Sequence, residues 1–141
     1  MVSDYPHTDL DHIKAHSPAL RGKRILITGS TGWFGSWITR SLSHMGVSFT
    51  TQGRGPAPLG EYDYLIHLSP ANTQEVLDKA RKAKVLFVSS GAVYDREDWY
   101  ADQKREDEKI CKSHPSRPVI ARCFTFVGPS PKTSHRAVDI F

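Results

Sequence analysis

Three glycines in Ile25-Leu26-Ile27-Thr28-Gly29-Ser30-Thr31-Gly32-Trp33-Phe34-Gly35 follow an apolar run at a spacing that suits a dinucleotide phosphate. Gly29 can turn the chain tightly off a strand, Gly32 can let the backbone approach a pyrophosphate, and Gly35 can let the next helix pack close to a sheet. A helix opening near Gly32 aims unpaired N–H groups and the positive end of its dipole at the loop, which is how such turns hold anions. Taken alone, the same spacing also describes an ordinary strand-to-helix turn. Tyr100 and Lys104 stand four apart and therefore share one helix face. A phenol ordinarily ionises near pH 10, so its anion needs about 4 kcal/mol of favourable interaction to act as a base near neutrality. One ammonium at ~4 Å in an effective dielectric of ~20 supplies roughly that much. Ser90 closes another apolar run, at the sheet edge where ligands bind in open parallel sheets.

These residues need a frame. Phe34, Ile38, Leu42 and Met45 recur at helical spacing after the glycines, and Gly46 sits where that helix stops. The pattern predicts helices over 32–45, 72–83 and 98–113, and strands over 24–28, 47–51, 63–68, 84–89 and 118–124. Most of the strand candidates are short apolar runs without clean alternation, as expected for strands covered on both faces. Helices and strands alternate, so the sheet should be largely parallel. The connection 52–62 holds three glycines and two prolines and predicts a bare crossover. Its eleven residues reach about 36 Å when extended, against roughly 27 Å needed to pass one strand and return along its length. Residues 1–20 read as a lead-in, with Leu10, Ile13 and Leu20 available to pack on the domain.

Composition narrows the class. A chain of 141 residues with 38% hydrophobic content fits one core, and the run Val85 to Val88 is far too short to span a membrane. No apolar leader opens the N-terminal stretch, which carries Asp4, Asp9 and Asp11. Cys111 and Cys123 read as isolated thiols of a cytoplasmic protein rather than a bridge, and neither has a zinc-type partner. The net charge of +4 includes a local cluster at Lys79, Arg81, Lys82 and Lys84. Acidic residues are interleaved elsewhere, so this charge reads as a solvated surface and not as a nucleic-acid interface.

With the elements placed, the chain resembles the extended short-chain dehydrogenase/reductase family, in its nucleotide-sugar epimerase and dehydratase group. Thr28 to Gly35 looks like the family's cofactor loop, and Asp63-Tyr64-Leu65-Ile66-His67-Leu68-Ser69 like its central strand beside the cofactor. Val88-Ser89-Ser90-Gly91-Ala92-Val93-Tyr94 looks like its serine strand end, and Tyr100-Ala101-Asp102-Gln103-Lys104 like its tyrosine–lysine pair. Ala121 to Pro129 looks like the segment leading toward the sugar site, and even the lead-in around Asp9 to Ile13 is similar.

The resemblance implies a three-layer, doubly wound, Rossmann-like α/β domain over 21–141 with about five strands in the order 2-1-3-4-5. It implies hydride exchange between a nicotinamide and a sugar carbon of a nucleotide sugar. Tyr100 moves the hydroxyl proton, Lys104 favours the tyrosinate and holds ribose hydroxyls, and Ser90 positions the substrate oxygen. Gly29, Ser30, Thr31, Gly32, Trp33, Phe34, Gly35, Leu68 and Ser69 join Tyr100 and Lys104 around the cofactor. No acidic residue ends the second strand, and Arg54 could meet a 2′-phosphate, so NADP is expected, with NAD the alternative. His67 reads as a packed strand residue, Gly128-Pro129 as a turn, and Arg122 as either a substrate-phosphate contact or a structural ion pair.

Departures from the family are large. The stretch 52–62 replaces a helix, an outer strand and another helix. Only nine residues separate Ser90 from Tyr100, and twelve follow Pro129, so the family's outer strand and C-terminal substrate domain are expected to be lacking. A sugar nucleotide would then need a homo-oligomer or a completing partner chain above it, because a poorly sequestered substrate loses orientation and electrostatic help. The alternative is a catalytically inactive dinucleotide-binding or protein-interaction module that kept the fold.

Overall fold

A computed structural model of the chain describes residues 7–53, 55, 60–69 and 72–126. The elements run α1 (His7–His16), a 3-10 turn (Pro18–Leu20), β1 (Ile25–Thr28), α2 (Trp33–Met45), β2 (Phe49–Gln52), β3 (Tyr64–His67), α3 (Thr73–Lys79), β4 (Lys84–Ser90), α4 (Ala92–Asp95), α5 (Trp99–Ser113) and β5 (Val119–Cys123). All strand pairs are parallel, in the order β2-β1-β3-β4-β5. The doubly wound order expected from the sequence is the order observed.

Three layers follow from where the apolar side chains go. Ile25 and Ile27 of β1 face Leu42 and Met45 of α2, with Ile13 and Leu20 of the lead-in packed on the same cluster. Leu26 faces the other way, into a cluster with Leu65, Val76, Leu77, Val85, Phe87 and Cys111, which brings α3 and α5 onto the second face. Every residue of β1 is buried, so the continuous Ile-Leu-Ile run reflects a strand covered on both sides. Burying each such side chain is worth roughly 1.5–3 kcal/mol. Leu10 is buried as well.

Two helix ends matter for the site. Helix α2 stops at Gly46, which takes φ +70 while its N–H and that of Val47 bond back to the last turn, the left-handed ending that glycine allows. Helix α5 begins at Asp98, whose side chain accepts the Ala101 N–H at 2.8 Å. Three elements differ from expectation, the first being β2, which starts at Phe49 and not at Val47. Helix α3 ends at Lys79, because the Ala83 N–H bonds to the Ala80 carbonyl and tightens the chain into a turn before β4. The short helix α4 was not anticipated; four residues give too little periodicity to read. Arg54, much of the bare crossover, and Gly128-Pro129 lie outside the described residues. No helix among the described residues is long and apolar enough to cross a membrane.

Candidate active site

The glycines do three separate jobs at the carboxyl end of β1. Gly29 takes φ +71, and a Cβ there would stand 2.9 Å from the Ser69 nitrogen and 3.1 Å from the Leu68 carbonyl carbon. At Gly35 a Cβ would sit 2.3 Å from the Gly29 oxygen, so α2 crosses the turn at backbone contact. Gly32 is different: its backbone is extended (φ −73, ψ 170), and a Cβ would meet only the Gly29 oxygen at 3.6 Å. Nothing on the protein side requires a glycine there. Gly32 is the N-cap of α2 and has no side chain with which to cap it, and the first intrahelical bond is Ser36 N–H to the Gly32 carbonyl at 2.9 Å. The N–H groups of Trp33, Phe34 and Gly35 therefore have no intrahelical acceptor.

The walls around this turn come from three elements. From the end of β3, the N–H groups of Leu68 and Ser69 both donate to Thr28 Oγ1, at 3.1 and 3.3 Å, tying that edge to the glycine turn. From beyond β5, Phe126 stacks on Phe34 at 4.5 Å between ring centroids and lies 5.2 Å from Trp33. The aromatic clamp was not foreseen, although both partners lie in segments singled out from the sequence. At the end of β2, Gln52 pairs with Thr28 in register, and its Nε2 donates to the Gly55 carbonyl at 2.9 Å.

Ser90 is the last residue of β4, opposite Cys123 of β5, and its Oγ accepts the Ala92 N–H at 3.2 Å. Tyr100 lies in the first turn of α5, half-buried, and Lys104 follows one turn later with only 2% of its surface exposed. The Lys104 Nζ donates to the Val88 carbonyl at 2.8 Å, two residues before Ser90 on the same strand. It also lies 4.8 Å from the Phe87 ring centroid and 5.9 Å from that of Tyr100. Burial draws the Lys104 pKa below the usual lysine range, with the Asp107 carboxylate opposing. Lys104 is thus the joint between α5 and β4, placing its charge beside Tyr100 and under the strand that ends at Ser90.

Arg122 occupies the place where two roles were open. Its Nε and Nη2 bond both oxygens of Glu108, at 2.8 and 2.7 Å, and its Nη1 bonds the Tyr94 hydroxyl at 2.7 Å. The guanidinium bond is the main reason the Glu108 carboxyl is held down to about 2. In this fold Arg122 is a structural ion pair.

A five-stranded parallel sheet wound on both faces, with a glycine-capped helix N-terminus behind a glycine turn at the switch between β1 and β3, defines a doubly wound, Rossmann-like α/β fold. The fold is the one seen in extended short-chain dehydrogenase/reductase proteins. An epimerase from the methanogen Methanothermobacter thermautotrophicus superimposes with a TM-score of 0.63 at 19% identity, over 89% of this chain and 57% of its own. A dTDP-4-dehydrorhamnose reductase from Clostridium acetobutylicum gives 0.62 at 16% identity, over 74% of this chain and 54% of its own. MoeE5 in complex with UDP-glucose and NAD gives 0.58 at 18% identity, over 77% of this chain and 56% of its own. The chain thus spans little more than half the length of these structures. No protein-family model matches the sequence, and no curated protein sequence does.

Proposed function

We propose that the chain binds a nicotinamide dinucleotide at the Gly29–Gly35 turn and forms the cofactor half of an oxidoreductase acting on nucleotide sugars, of the epimerase or dehydratase kind. The observation that carries this reading is Gly32. It is the N-cap of α2 without a side chain to serve as a cap, in an ordinary backbone conformation, and a Cβ there would meet the Gly29 oxygen only at ordinary contact distance. A glycine that the fold does not need is explained by a ligand that approaches the backbone closely.

In this reading the amides of Trp33, Phe34 and Gly35 take the pyrophosphate, and Leu68 and Ser69 flank it. The bound nicotinamide supplies the hydride acceptor. Tyr100 takes or returns the proton of the sugar hydroxyl, Lys104 sets its ammonium beside the Tyr100 ring, and Ser90 offers its hydroxyl to the same oxygen. Arg54 beyond β2 inclines the choice to NADP, while MoeE5 was solved with NAD. The sugar nucleotide would be covered by a second copy or a partner chain.

One observation favours the inactive-module reading: Lys104 spends one of its three N–H donors on the Val88 carbonyl and Arg122 is paired with Glu108, so two of the site's cations already have protein partners. Titration of the full chain with NAD, NADH, NADP and NADPH, following tryptophan emission from Trp33 and Trp37, tests the shared part. Saturable binding is expected, and its absence for all four removes both readings. Tyr100→Phe separates them. Where a sugar nucleotide is turned over, that change should lower turnover by about 10²–10⁴-fold and leave dinucleotide affinity within about threefold.

A further inference from the structure

A buried polar chain runs beneath the glycine turn. The Thr28 Oγ1 lies 2.6 Å from His67 Nδ1, and His67 Nε2 lies 2.9 Å from Thr73 Oγ1. The Thr73 hydroxyl donates to Asp107 Oδ1 at 2.8 Å, where Gln103 also donates at 3.2 Å. His67 is fully buried, and Thr28, Thr73 and Asp107 are each at most 2% exposed. The chain therefore crosses from β1 through β3 and α3 to α5 without contact with solvent.

Its hydrogen positions follow from counting lone pairs. A hydroxyl has one proton and two acceptor sites. Thr28 Oγ1 accepts the Ser69 N–H and the Leu68 N–H, the latter shared with the Thr28 carbonyl at 3.3 Å, which leaves His67 Nδ1 as the acceptor for its own proton. A neutral imidazole that accepts at Nδ1 carries its proton at Nε2 and donates it to Thr73. Thr73 then passes its own proton toward Asp107. With Asp107 ionised each bond in the row runs one way, and a doubly protonated His67 would leave the Thr28 proton without an acceptor; burial pushes the Asp107 pKa up, so acid works against the row from that end as well. The electrostatics agree. Burial, then the nearby Lys104 charge, draws His67 down to about 3.

We infer that His67 is the positioning residue of the dinucleotide cradle, fixed as the Nε2–H tautomer so that it locks the glycine turn and the β3 edge to the helix that carries Tyr100 and Lys104. The inference rests on the reading of the Gly29–Gly35 turn as that cradle. His67 touches neither cofactor nor substrate. It acts through Thr28, whose hydroxyl can hold the Leu68 and Ser69 amides in place only while its own proton is committed to Nδ1. Ser69 in turn is the atom group against which Gly29 packs, so the two walls of the cradle share one anchor.

The test uses the full chain, labelled with ¹⁵N. Long-range ¹H–¹⁵N correlation should show His67 with a protonated Nε2 and an unprotonated Nδ1, unchanged between pH 8 and pH 5; an Nδ1–H ring or an imidazolium in that range overturns the proposal. Thr28→Val, which keeps the shape and removes the hydroxyl, should raise amide exchange at Ser69 by about tenfold or more, raise it less at Leu68, whose N–H keeps the Thr28 carbonyl, and weaken NAD or NADPH binding by about tenfold. Thr28→Ser, which keeps the hydroxyl, should restore both to within about threefold of the parent. Equal affinity in the Val and Ser variants overturns the positioning role. If the parent chain binds no dinucleotide, the cradle reading fails while the tautomer and the amide exchange still decide whether the lock exists.

Discussion

Gly35 presses its Cα against the carbonyl of Gly29, so closely that a Cβ would lie 2.3 Å from that oxygen and 2.7 Å from the Ser30 Cα. Both obstacles are backbone, which cannot swing aside. Gly35→Ala is therefore expected to cost about 2–4 kcal/mol or prevent folding, by overpacking at a place with no slack. Gly46→Ala is the comparison: φ is +70 but nothing lies within 4 Å, so only the conformational cost of about 1 kcal/mol applies. Urea unfolding of the two variants checks the difference. Equal, small costs would mean that α2 does not cross the turn at backbone contact.

The Glu108–Arg122 pair makes a prediction about stability and pH. Glu108 is 3% exposed and its carboxyl is held at about 2, below the ordinary 4.5. A depressed carboxyl contributes stability that is complete above about pH 4.5 and is lost as pH falls toward 2. Arg122→Met leaves that carboxylate buried without its guanidinium and should cost about 2–3 kcal/mol at pH 7, less than for a fully buried pair because Arg122 is partly exposed. The cost should shrink at pH 3. A pH-independent cost would assign it to lost packing on Tyr94 instead.

His67 makes the complementary prediction. Its folded value of about 3 lies below the ordinary 6.5, so the unfolded chain binds a proton in this window that the folded chain refuses. Stability contributed by neutral His67 is complete above about pH 6.5 and declines as pH falls toward 3, by at most about 1.4 kcal/mol per pH unit. The margin of the parent over His67→Phe should accordingly narrow between pH 6.5 and 5 in urea unfolding. A constant margin would mean that folded His67 takes up its proton over the same pH range as in the unfolded chain.

Much of this was legible in one dimension. The Ile-Leu-Ile run, the glycine spacing and the 34, 38, 42, 45 periodicity are local signals, and they gave the strand, turn and helix that build the cradle. The alternation of helices and strands gave a parallel sheet, whereas the order 2-1-3-4-5 came from the family resemblance and not from any local signal. The cross-chain partnerships were not legible. Thr28, His67, Thr73 and Asp107 come from four elements, and three of them look like ordinary polar residues until the sheet stacks them. Arg122 and Glu108 are fourteen apart on a helix and a strand, and only the packing of α5 on β5 decides that the guanidinium turns inward. Phe126 meets Phe34 across a far longer gap in sequence.

The most direct test of the account is Gly32→Ser. Serine is a favourable N-cap, and its hydroxyl would bond the amides that the cradle reading reserves for phosphate, so folding stability should stay within about 0.5 kcal/mol of the parent or rise. Dinucleotide affinity, read from Trp33 and Trp37 emission, should fall by about tenfold or more. A parent chain that saturates with NADP or NAD and a Ser variant that is equally stable but binds poorly is the predicted result. Unchanged affinity in Gly32→Ser, or no saturable binding to the parent, would contradict it.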